Sequence, residues 1–109
     1  MHIAIPVTTG GAVDHSWGRA PRVAVADVQD GAVVDWQAFE VGWDRLHDEG
    51  TEGGHHARVA RFLQEHEVTR VAVDHMGPGM TEMLRRMGIA VVLGAAGDAR
   101  QVALDAAEL

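Results

Sequence analysis

Residues 68–94 read VTRVAVDHMGPGMTEMLRRMGIAVVLG, and this stretch decides the fold class. Residues 68–74 are rich in valine, which predicts a short strand. After a turn that contains two glycines and a proline, apolar spacing predicts a short helix over residues 79–87, ending at Gly88. Residues 89–94 predict another strand. Strands that alternate with helices are usually parallel neighbours joined by right-handed crossovers, so we expect an α/β protein.

Three strands are predicted before this unit. They lie at residues 3–7, 22–28 and 32–41, where the sequence is apolar or alternating. Asp30 and Gly31, between the second and third strands, form the strongest hairpin signal in the chain, so these two strands should be antiparallel neighbours.

Two further helices complete the pattern. Helical spacing over residues 54–66 predicts a helix before the fourth strand. Asp98 and Gln101 match a capping box, in which Asp98 caps the last helix and the Gln101 side chain reaches back. The predicted order is βββαβαβα, within one domain that spans residues 1–109.

The amino-acid composition excludes several kinds of reaction and disfavours several kinds of partner. The chain is 47% hydrophobic and 23% charged, and its net charge of −7 disfavours nucleic acid and membrane surfaces as partners. It contains no Cys, Lys, Tyr or Asn, which excludes thiol nucleophiles, thiolate metal ligands and Schiff-base chemistry. The first residues do not show the pattern of a secretory signal, so we expect a cytoplasmic location.

Seven histidines are the most unusual positive feature of the chain. Imidazole is a ligand for iron, copper and zinc, and the methionines add thioether donors. His15 follows the first strand, His55 and His56 open the first helix, and His75 ends the fourth strand. Ligands collect at the carboxyl ends of parallel strands, so we expect these positions to share one site. Any one histidine taken alone is better explained as an exposed or hydrogen-bonded residue, whereas for the set the two explanations are balanced.

Only one residue of the pair His55 and His56 should face that site, because adjacent helical residues diverge by about 100°. The apolar stripe of the helix is expected to pass through His56, so we predict that His56 packs in the core. His55 is then the ligand. The predicted metal ligands are His15, His55 and His75.

The turn formed by residues 75–79, HMGPG, presents free backbone N–H groups at a helix N-terminus. Such an end attracts anions, although the same residues also suit a plain tight turn. His75 with Asp74 raises the alternative of a small hydrolase or transferase.

Residues 42–54 are polar and rich in glycine, which predicts a mobile connection. Trp43 within it is either a lid over bound ligand or an anchor for a partner protein, the latter favouring a regulatory interaction module.

Three short motifs occur in order along the chain: MHIAIPV at residues 1–7, HSWGRAP at residues 15–21 and MGPG at residues 76–79. Together they resemble the dinitrogenase iron-molybdenum cofactor biosynthesis family, in which the second motif usually has Phe where Trp17 stands here. The resemblance covers essentially the whole chain. It implies a ribonuclease-H-like three-layer α/β/α fold with a mixed five-stranded sheet.

The resemblance also implies a function, which is to bind or carry an iron-molybdenum or related metal–sulfur cofactor, in nitrogen fixation or in another system. We therefore expect a non-catalytic carrier whose cargo is an anionic metallocluster and whose partners are cofactor-assembly or acceptor proteins. Besides the three metal ligands, the residues expected to contact the cofactor are Arg19, His56, Met76, Gly77 and Gly79. Arg19 and the helix N-terminus would offset the charge of the cluster.

Overall fold

Five strands form one sheet in the computed structural model, which describes residues 1–109. The strands are β1 His2–Pro6, β2 Arg22–Gln29, β3 Ala32–Glu40, β4 Arg70–Ala72 and β5 Ala90–Val92. Their order across the sheet is β3-β2-β1-β4-β5. β2 is antiparallel to both β1 and β3, whereas β4 is parallel to both β1 and β5. The predicted mixed five-stranded sheet is therefore confirmed.

The predicted hairpin joins β2 to β3. Asp30 and Gly31 have φ values of 52° and 77°, and Gln29 pairs with Ala32 directly beside them. Two successive residues with positive φ make a turn whose twist matches that of the flanking strands, and glycine adopts this conformation without a steric penalty. The two-residue turn therefore sets the register of the pairs beside it, and a bulge between Asp27 and Val28 shifts the register of the remaining pairs.

Four helices accompany the sheet, one more than the sequence predicts. They are α1 Trp43–Leu46, α2 Glu52–Glu65, α3 Pro78–Arg86 and α4 Ala99–Ala107. The additional helix is α1, so the observed order is βββααβαβα. It lies in the segment that was expected to be a mobile connection, and its four residues are too few to show helical periodicity in the sequence.

Side-chain caps begin two of these helices. The Gly54 N–H donates to Thr51 Oγ1 at 3.0 Å at the start of α2. At the start of α4, the Gln101 N–H donates to the Asp98 carboxylate at 3.0 Å, as predicted. The Gln101 side chain, however, donates to Asp105 Oδ1 one turn later instead of reaching back. Only half of the expected capping box is formed, because an i,i+4 partner is available on the helix surface.

The two faces of the sheet bury separate apolar clusters, and helices cover both. We call them the α2–α3 face and the α4 face. On the α2–α3 face, sheet residues such as Val23 and Val71 pack with Leu63 and Leu84 and with two tryptophans, Trp17 and Trp43. On the α4 face, the cluster is Ile3, Ile5, Val7, Val13, Ala24, Ala26, Val28, Ala72, Ala95, Ala99, Ala103 and Ala106. The molecule is thus built in three layers. None of its helices has the length and apolar character needed to cross a membrane.

Candidate functional site

A cavity of about 630 Å³ opens on the α2–α3 face. Its walls come from the loop after β1, from the connection between α1 and α2 with the first turns of α2, and from the turn between β4 and α3. The lining residues are Ser16, Trp17, Gly18, Arg19, His47, Asp48, Gly50, Glu52, His55, His56, His75, Met76, Gly77, Pro78, Gly79 and Met80. The three sequence-predicted segments therefore meet at one cavity, and His15 is the predicted contact residue that does not line it.

The turn into α3 supplies backbone donors to this cavity. Gly77 caps the helix in an extended conformation with Pro78 as the first helical residue, and no side chain bonds the cap. The first N–H groups of a helix have no partner within it, so those of Gly79 and Met80 are free to meet a ligand. A Cβ atom at Gly79 would lie 3.4 Å from His56 Cε1, so the absence of a side chain lets the imidazole approach the helix end.

His55 is buried in a hydrogen-bond network. Only 2% of the residue is exposed. Its Nε2 lies 2.7 Å from the Gly18 carbonyl oxygen, and its Nδ1 lies 2.8 Å from Arg58 Nη1. Because Arg58 can only donate, the ring is neutral with its proton on Nε2, which donates to Gly18. Burial lowers the pKa of His55, since the charged ring loses hydration, and the neighbouring Arg58 charge acts in the same direction.

The packing of the two adjacent histidines is the reverse of the prediction. His55, the expected ligand, is in the core, and both of its ring nitrogens already have partners. The His56 side chain, expected to pack, is 24% exposed, and its Nε2 lies 3.8 Å from Glu52 Oε1 in the cavity wall. The buried stripe of α2 consists of His55, Val59 and Leu63, spaced four residues apart. The prediction had Val59 and Leu63 in the stripe but assigned the wrong one of the two histidines to it.

His15 and His75 are both exposed. His15 Nδ1 lies 3.7 Å from Asp74 Oδ2, with 95% of the His15 side chain exposed outside the cavity. The Asp74 carboxylate therefore lies beside His15, and no hydrogen bond joins it to His75. No cluster of three or more His, Cys, Asp or Glu side chains is arranged to hold a metal ion. The set His15, His55 and His75 is therefore not assembled as a metal site.

Arg19 is paired across the cavity with Asp48. Arg19 Nη1 and Nη2 donate to the two oxygens of the Asp48 carboxylate at 3.2 Å and 3.1 Å. His47 Nδ1 lies 3.3 Å from the same carboxylate. The hydrogen bond from Arg19 is the main reason that the pKa of Asp48 lies below its ordinary value, with a smaller contribution from His47. Sequence reasoning identified Arg19 but not its partner.

Two aromatic residues support the cavity from beneath. Trp43 is 2% exposed and packs edge-to-face on Trp17 with ring centroids 5.1 Å apart. The hypothesis that Trp43 forms a lid or a partner anchor is therefore wrong, because the side chain is part of the core. Trp17 lines the cavity, and its indole Nε1 is buried without a hydrogen-bond partner. An unpaired buried donor of this kind is rare in proteins.

The family model described as dinitrogenase iron-molybdenum cofactor matches residues 1–108 of this sequence. The chain belongs to this family. The resemblance that the three sequence motifs indicated is thus confirmed, and the family covers both the cavity and the sheet that carries it. No curated protein shows significant sequence similarity to this member of the family.

Solved structures share the fold of this family member. The crystal structure of PH0822 is 24% identical with a TM-score of 0.76, covering 97% of this chain and 88% of the other. The apo form of the orange protein from Desulfovibrio gigas is 21% identical with a TM-score of 0.75, covering 94% and 82%. The NMR structure of a Thermotoga protein of the DUF35 family is 18% identical with a TM-score of 0.68, covering 98% and 87%.

Proposed function

We propose that this protein is a non-catalytic carrier that binds an anionic iron-molybdenum or related metal–sulfur cluster in the cavity on the α2–α3 face. The observation that carries the proposal is the composition of the cavity wall, where four imidazoles, two thioethers and an open helix N-terminus line one space of about 630 Å³. Of the imidazoles, only that of His55 has both ring nitrogens already bonded within the protein. Membership of the dinitrogenase iron-molybdenum cofactor family supports the choice of cargo. The three-layer arrangement is consistent with the ribonuclease-H-like description of the fold.

The donors in this cavity suit a preformed cluster better than a bare metal ion. A single ion needs several ligands at fixed distances, and no such group of His and carboxylate side chains is present. A cluster brings its own sulfide ligands and presents a broad anionic surface, so it needs hydrogen-bond donors, positive charge and occasional ligation. The candidate ligands for open metal positions are His47, His56 and His75, with Met76 at the same wall.

Three kinds of donor would meet the negative charge of the cargo. The free N–H groups of the first turn of α3 lie at its partly positive end. Arg19 contributes a guanidinium group to the wall. The indole N–H of Trp17, a residue of the cavity wall, is buried and has no acceptor within the protein, so it is the third candidate donor. After loading, the expected partners are cofactor-assembly or acceptor proteins.

The tetrathiomolybdate dianion tests this proposal, because it is a soluble molybdenum–sulfur anion with strong visible absorption. The purified protein should retain the colour through gel filtration and saturate at one site per chain. His56→Ala and His75→Ala should each weaken binding at least threefold, whereas His2→Ala, which removes an imidazole outside the cavity, should bind as the parent does. Equal binding by all three variants, or no retention of colour by the parent, would contradict the proposed cargo site.

A further inference from the structure

Carboxylates in a cavity that takes an anion are unexpected. Arg19 is the only arginine among the lining residues, and Asp48 and Glu52 line the same cavity. Since the Arg19 guanidinium is already bonded to both oxygens of Asp48, its charge is neutralised where the cargo needs it. The cavity as it stands therefore offers less attraction to an anion than its lining suggests.

We infer that Asp48 is an internal competitor for the cargo, whose carboxylate occupies the Arg19 guanidinium until an anion displaces it. This inference rests on the proposed function, because it requires an anionic ligand in the cavity. The guanidinium fork binds carboxylates, phosphates and other anions through the same pair of parallel donors. The Asp48 carboxylate thus binds the same guanidinium donors that the anionic ligand would use.

The ion pair is suited to exchange. Of the two side chains, 53% of Arg19 and 68% of Asp48 is exposed, so water screens the attraction. In exposed pairs of this kind, the paired state, here called the closed pair, is favoured over the separated side chains by only about 1.4- to fivefold. By contrast, the ends of the segment that carries Asp48 are held by buried contacts of Trp43 and His55. Exchange therefore needs movement of two exposed side chains and leaves the core unchanged.

Displaced Asp48 would retain one partner. His47 Nδ1 lies 3.3 Å from its Oδ1, on the same segment, so the carboxylate has a local donor after Arg19 leaves. If the closed pair is favoured by about 1.4- to fivefold, only the remaining fraction has a free Arg19, and the apparent affinity for an anion falls by about two- to sixfold. Such competition also assists release, which a carrier requires in addition to binding.

The experiment measures tetrathiomolybdate affinity by its visible absorption in about 0.15 M salt, where the Debye length is about 8 Å. Asp48→Asn and Asp48→Ala should bind about two- to sixfold more tightly than the parent. Glu49→Gln is the matched control, since it removes the same charge from the neighbouring exposed residue that does not line the cavity, and it should change affinity by less than about 1.5-fold. Arg19→Gln should bind more weakly.

The double variant Arg19→Gln/Asp48→Asn separates competition for Arg19 from a general charge effect. We expect no gain from Asp48→Asn when Arg19 is absent. A gain of the same size in that background, an equal gain from Glu49→Gln, or weaker binding by the Asp48 variants would overturn the inference and leave the cargo site intact. Failure of the parent and of every variant to bind the anion would overturn the proposed function and this inference together.

Discussion

The two faces of the sheet are covered in different ways. On the α4 face, the helix presents Ala99, Ala103 and Ala106, whose small side chains let it lie close against the strands. On the α2–α3 face, the packing uses Trp17 and Trp43, and the segments above them leave the cavity open. The larger cavity, with its polar side chains, therefore lies on the α2–α3 face. That face is built on two tryptophans and a hydrogen-bonded histidine, whereas α4 packs on the opposite face through alanines.

The largest expected difference between the faces concerns tryptophan. Trp43→Ala should lower the free energy of unfolding by about 3–5 kcal/mol, because it removes a large side chain that is 2% exposed. Trp36→Ala, on the α4 face, should lower it by only about 1–2 kcal/mol, since Trp36 is half-buried and packs at the edge of that cluster. It also loses the contact with Arg100 Cζ, 4.6 Å from its ring centroid. Urea denaturation of both variants measures this, and equal losses would contradict the assignment of Trp43 to the core.

The two adjacent histidines of α2 should contribute differently to the free energy of unfolding. His55→Ala should lower the free energy of unfolding by about 2–4 kcal/mol, because it leaves the Gly18 carbonyl and Arg58 without their partner. His56→Ala should lower it by less than about 1 kcal/mol, since the side chain is partly exposed. Chemical denaturation of the two variants checks the order, and a larger loss for His56→Ala would restore the original sequence-based assignment.

His55 also predicts how stability depends on pH. Its folded-state pKa is lowered by burial below the ordinary value of 6.5, so the unfolded chain binds more protons between the two values. Stability from this residue is complete above 6.5 and falls as the pH decreases towards the folded-state pKa. Urea denaturation at several pH values should show a smaller decline below 6.5 for His55→Gln than for the parent, and an unchanged decline would contradict it.

The sheet and three of the helices follow from local sequence signals. Alternating apolar runs predict the strands, Asp30 with Gly31 predicts the hairpin, and Asp98 predicts the start of α4. The stripe through His55 was available in the sequence as an i, i+4, i+8 pattern with Val59 and Leu63, but apolar residues alone do not identify a histidine as part of it.

No local sequence pattern predicts the interactions that hold the walls of the cavity together. The pair Arg19 and Asp48 joins residues 29 positions apart, and His55 meets the Gly18 carbonyl across 37 positions. Such contacts depend on how the loop after β1 folds against α2, which neither periodicity nor turn chemistry determines. Sequence reasoning therefore located the segments that form the cavity and named seven residues that line it, but it wrongly included His15 and did not include His47 or Asp48.

The α4 face should contribute to stability without affecting binding. Asp98→Ala removes the cap of α4 and should lower the free energy of unfolding by about 1 kcal/mol. Its affinity for tetrathiomolybdate should equal that of the parent, because Asp98 does not line the cavity. Denaturation and absorption titration of the same preparation check both statements. Weaker binding would mean that the two faces are coupled through the sheet.

The indole N–H signals of Trp17, Trp36 and Trp43 in a ¹H–¹⁵N spectrum test the central claim most directly, because they sample both faces at once. During titration with tetrathiomolybdate, the Trp17 signal should shift, since its Nε1 lacks a partner and the residue lines the cavity. The Trp36 signal on the α4 face should stay in place. A Trp36 shift with an unchanged Trp17 signal would place the anion on the other face and contradict the proposed site.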